Sequence, residues 1–132
     1  MRSRLFAPTF LSVIGISISI GLLAGCSGSS SDAGTVPADA DLIVTAEEGI
    51  RLDSPTYSTK PGDAVVAYVN NSSLPHNLHF VTADGSELPS IHEVAQKGQT
   101  ATKTVKLEAG TYTLICTIPG HSNMKATLTV AP

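Results

Sequence analysis

Residues Cys116-Thr117-Ile118-Pro119-Gly120-His121-Ser122-Asn123-Met124 place a thiol, an imidazole and a thioether within nine positions. All three are soft to borderline metal donors. His121 and Met124 are three residues apart, a step that covers only about 10 Å when fully extended, so both can reach one point. Pro119-Gly120 supplies a turn that folds His121 back toward Cys116. A thiolate, an imidazole nitrogen and a weak thioether favour copper over magnesium or calcium, and two imidazoles, one thiolate and a long axial thioether make a copper electron-transfer set. The second imidazole must come from elsewhere. Pro75-His76-Asn77, at the head of an alternating stretch, offers it, so the candidate ligands are His76, Cys116, His121 and Met124.

Each of these residues has an ordinary reading when taken alone. A Cys flanked by Leu114-Ile115 and Thr117-Ile118 packs as a small hydrophobe, and single His and Met residues serve packing or surface roles. Their joint spacing favours the metal. Zinc is the nearest rival, but its sites draw on Cys, His and carboxylates, which leaves Met124 without a role. A Cys-His nucleophile pair needs an oxyanion site and an orienting residue, and no residue nominates itself for either.

The elements that must carry these donors read as β-strands, because hydrophobicity alternates with period two and turn residues punctuate it often. Eight strands are predicted, at 42–46, 50–52, 56–60, 64–70, 76–82, 100–107, 111–117 and 124–130. The fold class is all-β, and short strands at this spacing suggest a Greek-key sandwich. Residues 87–98 read as a long connection with room for a helical turn. By parity His76 shares a face with Leu78 and Phe80, Cys116 with Tyr112 and Leu114, and Met124 with Ala126, Leu128 and Val130. Each candidate ligand thus points where the apolar residues point, placing the metal at one end of the core.

About ninety residues follow Leu42, enough for one small domain with a modest core. What precedes them is of a different kind. Arg2 and Arg4 are followed by an uncharged apolar run from Leu5 to Ala24, which reads as an export signal over residues 1–25. An uncleaved membrane helix is the rival, since about twenty apolar residues can just span a bilayer. Leu23-Ala24-Gly25-Cys26 resembles the bacterial lipobox, which implies that Cys26 is diacylated and becomes the first mature residue. Two acyl chains suffice for stable anchoring. Residues 26–41 then form a small, polar tether, and residues 42–132 form the domain. With Cys26 on lipid and Cys116 on metal, the two cysteines are not read as a disulfide. Removing Arg2 and Arg4 from the eight Lys and Arg leaves six against eleven Asp and Glu, a formal charge of −5. Nucleic-acid binding, which needs a basic patch, is not expected.

The run from Tyr112 to His121, followed by Met124 and Thr127-Leu128-Thr129-Val130, resembles the cupredoxin family of small blue copper proteins, represented by plastocyanin, azurin and auracyanin. Pro61-Gly62-Asp63 and Asn70 to Phe80 support the resemblance. It implies a Greek-key sandwich of about eight strands holding one type I copper. His76 falls on the upstream imidazole, Cys116 on the thiolate, His121 on the second imidazole and Met124 on the axial thioether. Asn77 falls on the neighbour that ties the two ligand-bearing segments together. The short His121-to-Met124 gap is similar to that of amicyanin, whereas azurin and auracyanin have longer ones.

The resemblance implies single-electron transfer between redox proteins through Cu(II) and Cu(I), with no catalysis by the chain itself. His76 is expected to be buried. His121 is expected to be an exposed edge beside Leu74, Pro75, Ile118 and Pro119, where donor and acceptor proteins dock. A copper carrier that delivers the ion is the alternative. A copper oxidoreductase domain requires a second site with additional His residues; of the four His in the chain only His79 and His92 remain, and both read as surface residues. The protein is expected to be an exported monomer, anchored to a cell membrane through Cys26 on its periplasmic or extracellular face.

Overall fold

The computed structural model describes residues 34–89 and 92–132. The export signal, Cys26 and the first part of the tether lie outside the described residues. Among the described residues nine strands form two sheets: β1 (Leu42–Glu47), β2 (Arg51–Leu52), β3 (Thr56–Thr59), β4 (Gly62–Asn70), β5 (His76–Thr82), β6 (His92–Val94), β7 (Thr100–Leu107), β8 (Gly110–Ile115) and β9 (Lys125–Val130). One sheet has the order β2-β1-β4-β7 and the other β3-β9-β8-β5-β6. The pairs β1/β4 and β3/β9 are parallel. The other pairings are antiparallel.

The all-β sandwich expected from the alternation is therefore present, with nine strands where eight were predicted. The ninth, β6, lies in the stretch read as a long connection. No helix occurs among the described residues. Three residues are too few to show a period against their flanks, and β6 exists because β5 offers it an edge, pairing His76 with Val94 and Leu78 with His92.

Alternate residues of each strand fill the space between the sheets. Val44 and Ala46 from β1, Val66 and Tyr68 from β4, Leu78 and Phe80 from β5, Leu114 from β8 and Leu128 from β9 are all buried. At roughly 1.5–3 kcal/mol for each large apolar side chain removed from water, this layer is the main favourable term holding the sheets together. Asp41 joins the domain just ahead of β1: its N–H donates to the Val65 carbonyl and its carboxylate accepts the Val65 N–H, both at 2.8 Å.

The sandwich matters for the site because three strand ends meet at one edge of this core. β5 starts at His76, β8 stops one residue before Cys116, and β9 starts one residue after Met124. The loop from 116 to 124 closes the antiparallel β8/β9 pair at the same end at which β5 enters.

Candidate metal centre

The β8/β9 ladder continues one step past the strands, with the Cys116 N–H donating to the Met124 carbonyl at 3.1 Å. This bond pins both ends of the loop. Within it, the His121 N–H donates to the Ile118 carbonyl at 3.0 Å and the Met124 N–H to the His121 carbonyl at 2.8 Å. Two consecutive tight turns result, and the first needs Gly120 at φ 90°, a left-handed conformation that costs an L side chain about 1 kcal/mol or more. The turns bring the His121 ring back over Cys116, as Pro119-Gly120 predicts.

Cys116 Sγ lies 3.5 Å from His121 Nδ1. One donor atom from each of His76, Cys116 and His121 lies within 4.8 Å of the others, and the two imidazole rings are 4.9 Å apart between centroids, tilted by 44°. Relative exposures are 2% for His76, 6% for Cys116, 7% for His121 and 1% for Met124. All four predicted ligands are thus buried at one end of the core. The exposed edge expected for His121 is correspondingly narrow, because Pro119-Gly120 folds the ring inward against Cys116. Leu74, 41% exposed, stands at this end together with exposed Pro75 and Pro119 and half-buried Ile118.

Neither ring nitrogen of His76 has a hydrogen-bond partner, although both are buried. A polar group left so is costly unless something else engages it. Burial, reinforced by the neighbouring His121, holds the His76 imidazolium pKa below its usual range. That favours the neutral ring, which is the form that binds metal. Two imidazoles and a thiol converging in a buried site, with Met124 buried at the same end of the core, fit a copper ion by donor chemistry.

The segments carrying these donors are clamped to each other. Asn77 Oδ1 accepts the Thr117 N–H at 2.8 Å, and Asn77 Nδ2 donates to Thr117 Oγ1 at 2.9 Å. Asn77 follows His76 and Thr117 follows Cys116, so the clamp fixes the spacing of the two.

His79 and His92 correct the sequence reading, which placed both at the surface. His79 is 7% exposed: it points away from the core as parity requires, but Glu87 and Thr117 cover it, with Nδ1 3.0 Å from Glu87 Oε2 and Nε2 3.1 Å from Thr117 Oγ1. His92 is wholly buried because β6 turns it inward, where Nε2 meets the Val66 carbonyl at 3.2 Å. Neither joins a second metal cluster among the described residues. Sequence reasoning also missed Thr117 and Glu87. The spacing of Asn77 and His79, two polar residues on one strand face, was the available signal for the former, while only the turn at Asp84-Gly85 hinted that Glu87 would fold back on β5.

A family model described as copper-binding proteins of the plastocyanin/azurin family matches residues 40–131. Amicyanin of Paracoccus denitrificans is 29% identical over 102 residues, covering 70% of this chain and 76% of that protein. Amicyanin-alpha of Methylorubrum extorquens is 35% identical over 82 residues, covering 61% of this chain and 65% of that protein. The crystal structure of dithionite-reduced auracyanin from Roseiflexus castenholzii matches the fold with a TM-score of 0.61 at 21% identity, over 80% of this chain and 100% of that one.

Proposed function

This chain belongs to the plastocyanin/azurin family of copper-binding proteins, and from that premise we propose that His76, Cys116, His121 and Met124 hold its single type I copper. The family places the chain among electron carriers rather than enzymes. The bound ion supplies one-electron chemistry by cycling between Cu(II) and Cu(I). The observation that carries the ligand assignment is the convergence of three buried donor atoms within 4.8 Å, one of them on a ring with no other partner.

The chain's own residues have separable tasks in this reading. His76 is delivered by β5 into the core, where burial keeps it neutral and ready to bind. Cys116, as thiolate, is the strong donor, and the end of the β8/β9 ladder fixes its backbone. His121 closes the site from the loop, and its narrow exposed edge is the route for electrons. Met124, buried one residue before β9, would offer the ion a weak thioether donor that tunes the balance between oxidation states. Because the Asn77–Thr117 clamp ties the two ligand-bearing segments, the donors need not rearrange when an electron arrives.

Leu74, Pro75, Ile118 and Pro119 around that edge form an apolar surface for donor and acceptor proteins. A small patch of this kind suits redox encounters that must dissociate quickly. On the sequence reading of residues 1–25 and Cys26, the protein works outside the cytoplasm, held to a membrane by lipid on Cys26. The ligand assignment is tested by measuring copper content and visible absorption for the single variants His76→Ala, Cys116→Ala and His121→Ala. Each is expected to lose the intense charge-transfer band, and a variant that keeps it unchanged removes that residue from the site.

A further inference from the structure

His79 and Glu87 stand outside the four ligands but extend the clamp that joins the ligand segments. Glu87 Oε2 meets His79 Nδ1 at 3.0 Å, and His79 Nε2 meets Thr117 Oγ1 at 3.1 Å. Thr117 Oγ1 also accepts from Asn77 Nδ2 at 2.9 Å, while Asn77 Oδ1 accepts the Thr117 N–H at 2.8 Å. The row runs from a carboxylate whose side chain is 50% exposed, through an imidazole side chain that is 9% exposed, to the residues following Cys116 and His76. Glu87 is held in place by pairing across from Val81 and by the neighbouring Leu88 N–H, which donates to the Phe80 carbonyl at 2.9 Å.

Matching donors to acceptors fixes the polarity of this row. An ionised carboxylate only accepts, so His79 Nδ1 carries a hydrogen, and Nε2 of the neutral ring is then an acceptor. The Thr117 hydroxyl donates to Nε2 and keeps a lone pair for Asn77 Nδ2. A second hydrogen on Nε2 would make Thr117 Oγ1 accept twice and leave its own hydrogen without an acceptor in the row. Each donor hydrogen in the row therefore points toward Glu87, and the row links that carboxylate to Thr117 and Asn77, the residues that follow Cys116 and His76. Bonds aligned in this way polarise one another.

We propose that the Glu87–His79 pair is a positioning and tuning element of the centre: it orients the Thr117 hydroxyl and, through that row, favours the oxidised state. The inference rests on the copper electron-transfer reading. Its physical basis is that reduction adds one electron, supplied by the partner, to a site whose two flanking residues, Thr117 and Asn77, are hydrogen-bonded through His79 to a negatively charged carboxylate. The more positive, oxidised site is the better match, so the pair lowers the reduction potential.

Two measurements test this. In the metal-free protein at neutral pH, nitrogen-15 NMR of His79 should report a hydrogen on Nδ1 and a bare Nε2; the opposite tautomer would overturn the proposal without involving copper. Voltammetry of the copper-loaded protein then compares wild type, Glu87→Gln, His79→Phe and the double variant at one pH and ionic strength. Glu87→Gln should favour the reduced form about threefold, an upward shift of about 28 mV at 59 mV per tenfold for one electron. With Phe at position 79, the same Glu87→Gln change should give less than half that shift, a non-additivity characteristic of groups in one network. Equal shifts in both backgrounds would mean that the carboxylate acts only through space, and no shift in either would mean that it does not act; each result overturns the proposal. Should His79→Phe fail to fold, His79→Gln retains a donor toward Glu87 and an acceptor toward Thr117. It is expected to preserve the sensitivity to Glu87→Gln, and loss of that sensitivity would count against the proposal. Absence of a charge-transfer band in the wild type would instead defeat the copper reading, so the two failures are distinguishable.

Discussion

Acidification should remove about 3 kcal/mol of folding stability through His92 alone. Its ring is wholly buried, Nε2 donates to the Val66 carbonyl at 3.2 Å, and Nδ1 is buried without a partner. A second proton would have to sit on that unpartnered nitrogen. Burial above all, with a smaller push from Lys103, takes the His92 pKa down from 6.5 to about 4, against an opposing contribution from the Val66 hydrogen bond. In the unfolded chain the ring titrates near 6.5, so between about pH 6.5 and 4 the unfolded state binds more protons than the folded one. Stability therefore falls as pH falls through this window and levels off below it. At about 1.4 kcal/mol per unit, the whole shift is worth about 3 kcal/mol, of which about 2.5 kcal/mol lies between pH 7.5 and 4.5. The assay is urea denaturation of metal-free wild type and His92→Leu at those two pH values. The variant removes this one titration and leaves the other acidic and imidazole groups in place. Wild type should lose about 2.5 kcal/mol more than the variant; an equal loss in the two proteins would refute the argument that burial of His92 carries the pH dependence.

Three further outcomes follow from the site and its supports. Asn77→Ala removes both bonds of the clamp to Thr117 and should destabilise the domain by about 1–3 kcal/mol, read by denaturation of the metal-free protein. Met124→Leu should retain copper and raise the reduction potential, because a weak axial donor preferentially supports Cu(II); an unchanged voltammogram would take Met124 out of the axial position. Cys26→Ser should abolish acylation, so intact mass should reveal either an uncleaved precursor or an unlipidated product, whereas a wild-type mature N-terminus elsewhere, with no acyl mass, would end the anchor reading.

What could be read from the sequence was what one chain segment determines by itself. The Cys116-to-Met124 loop was legible because its donors, its turn residues and the strands on either side all lie within one stretch. The inward placement of His76 followed from the period-two pattern, and its separation from the loop made it a matter of chemistry: a second imidazole was required, and Pro75-His76-Asn77 began a strand. Parity put His79 on the far face of β5 correctly but could not show that it is buried there, because that burial depends on Glu87 and Thr117, which approach from other segments and leave no trace in the local pattern. His92 was missed for a related reason. A three-residue strand has no period of its own, and its inward orientation is imposed by pairing with β5. Thr117 read as the last residue of the strand predicted at 111–117, and only folding set its backbone and hydroxyl against Asn77, forty positions away.

The central claim is a type I copper centre built on Cys116, and the visible spectrum during titration of the metal-free protein with Cu(II) tests it most directly. The account requires an intense thiolate-to-copper band that saturates at one copper per chain, bleaches on one-electron reduction, and is absent from Cys116→Ala. No band in the wild type, or the same band in Cys116→Ala, would contradict it.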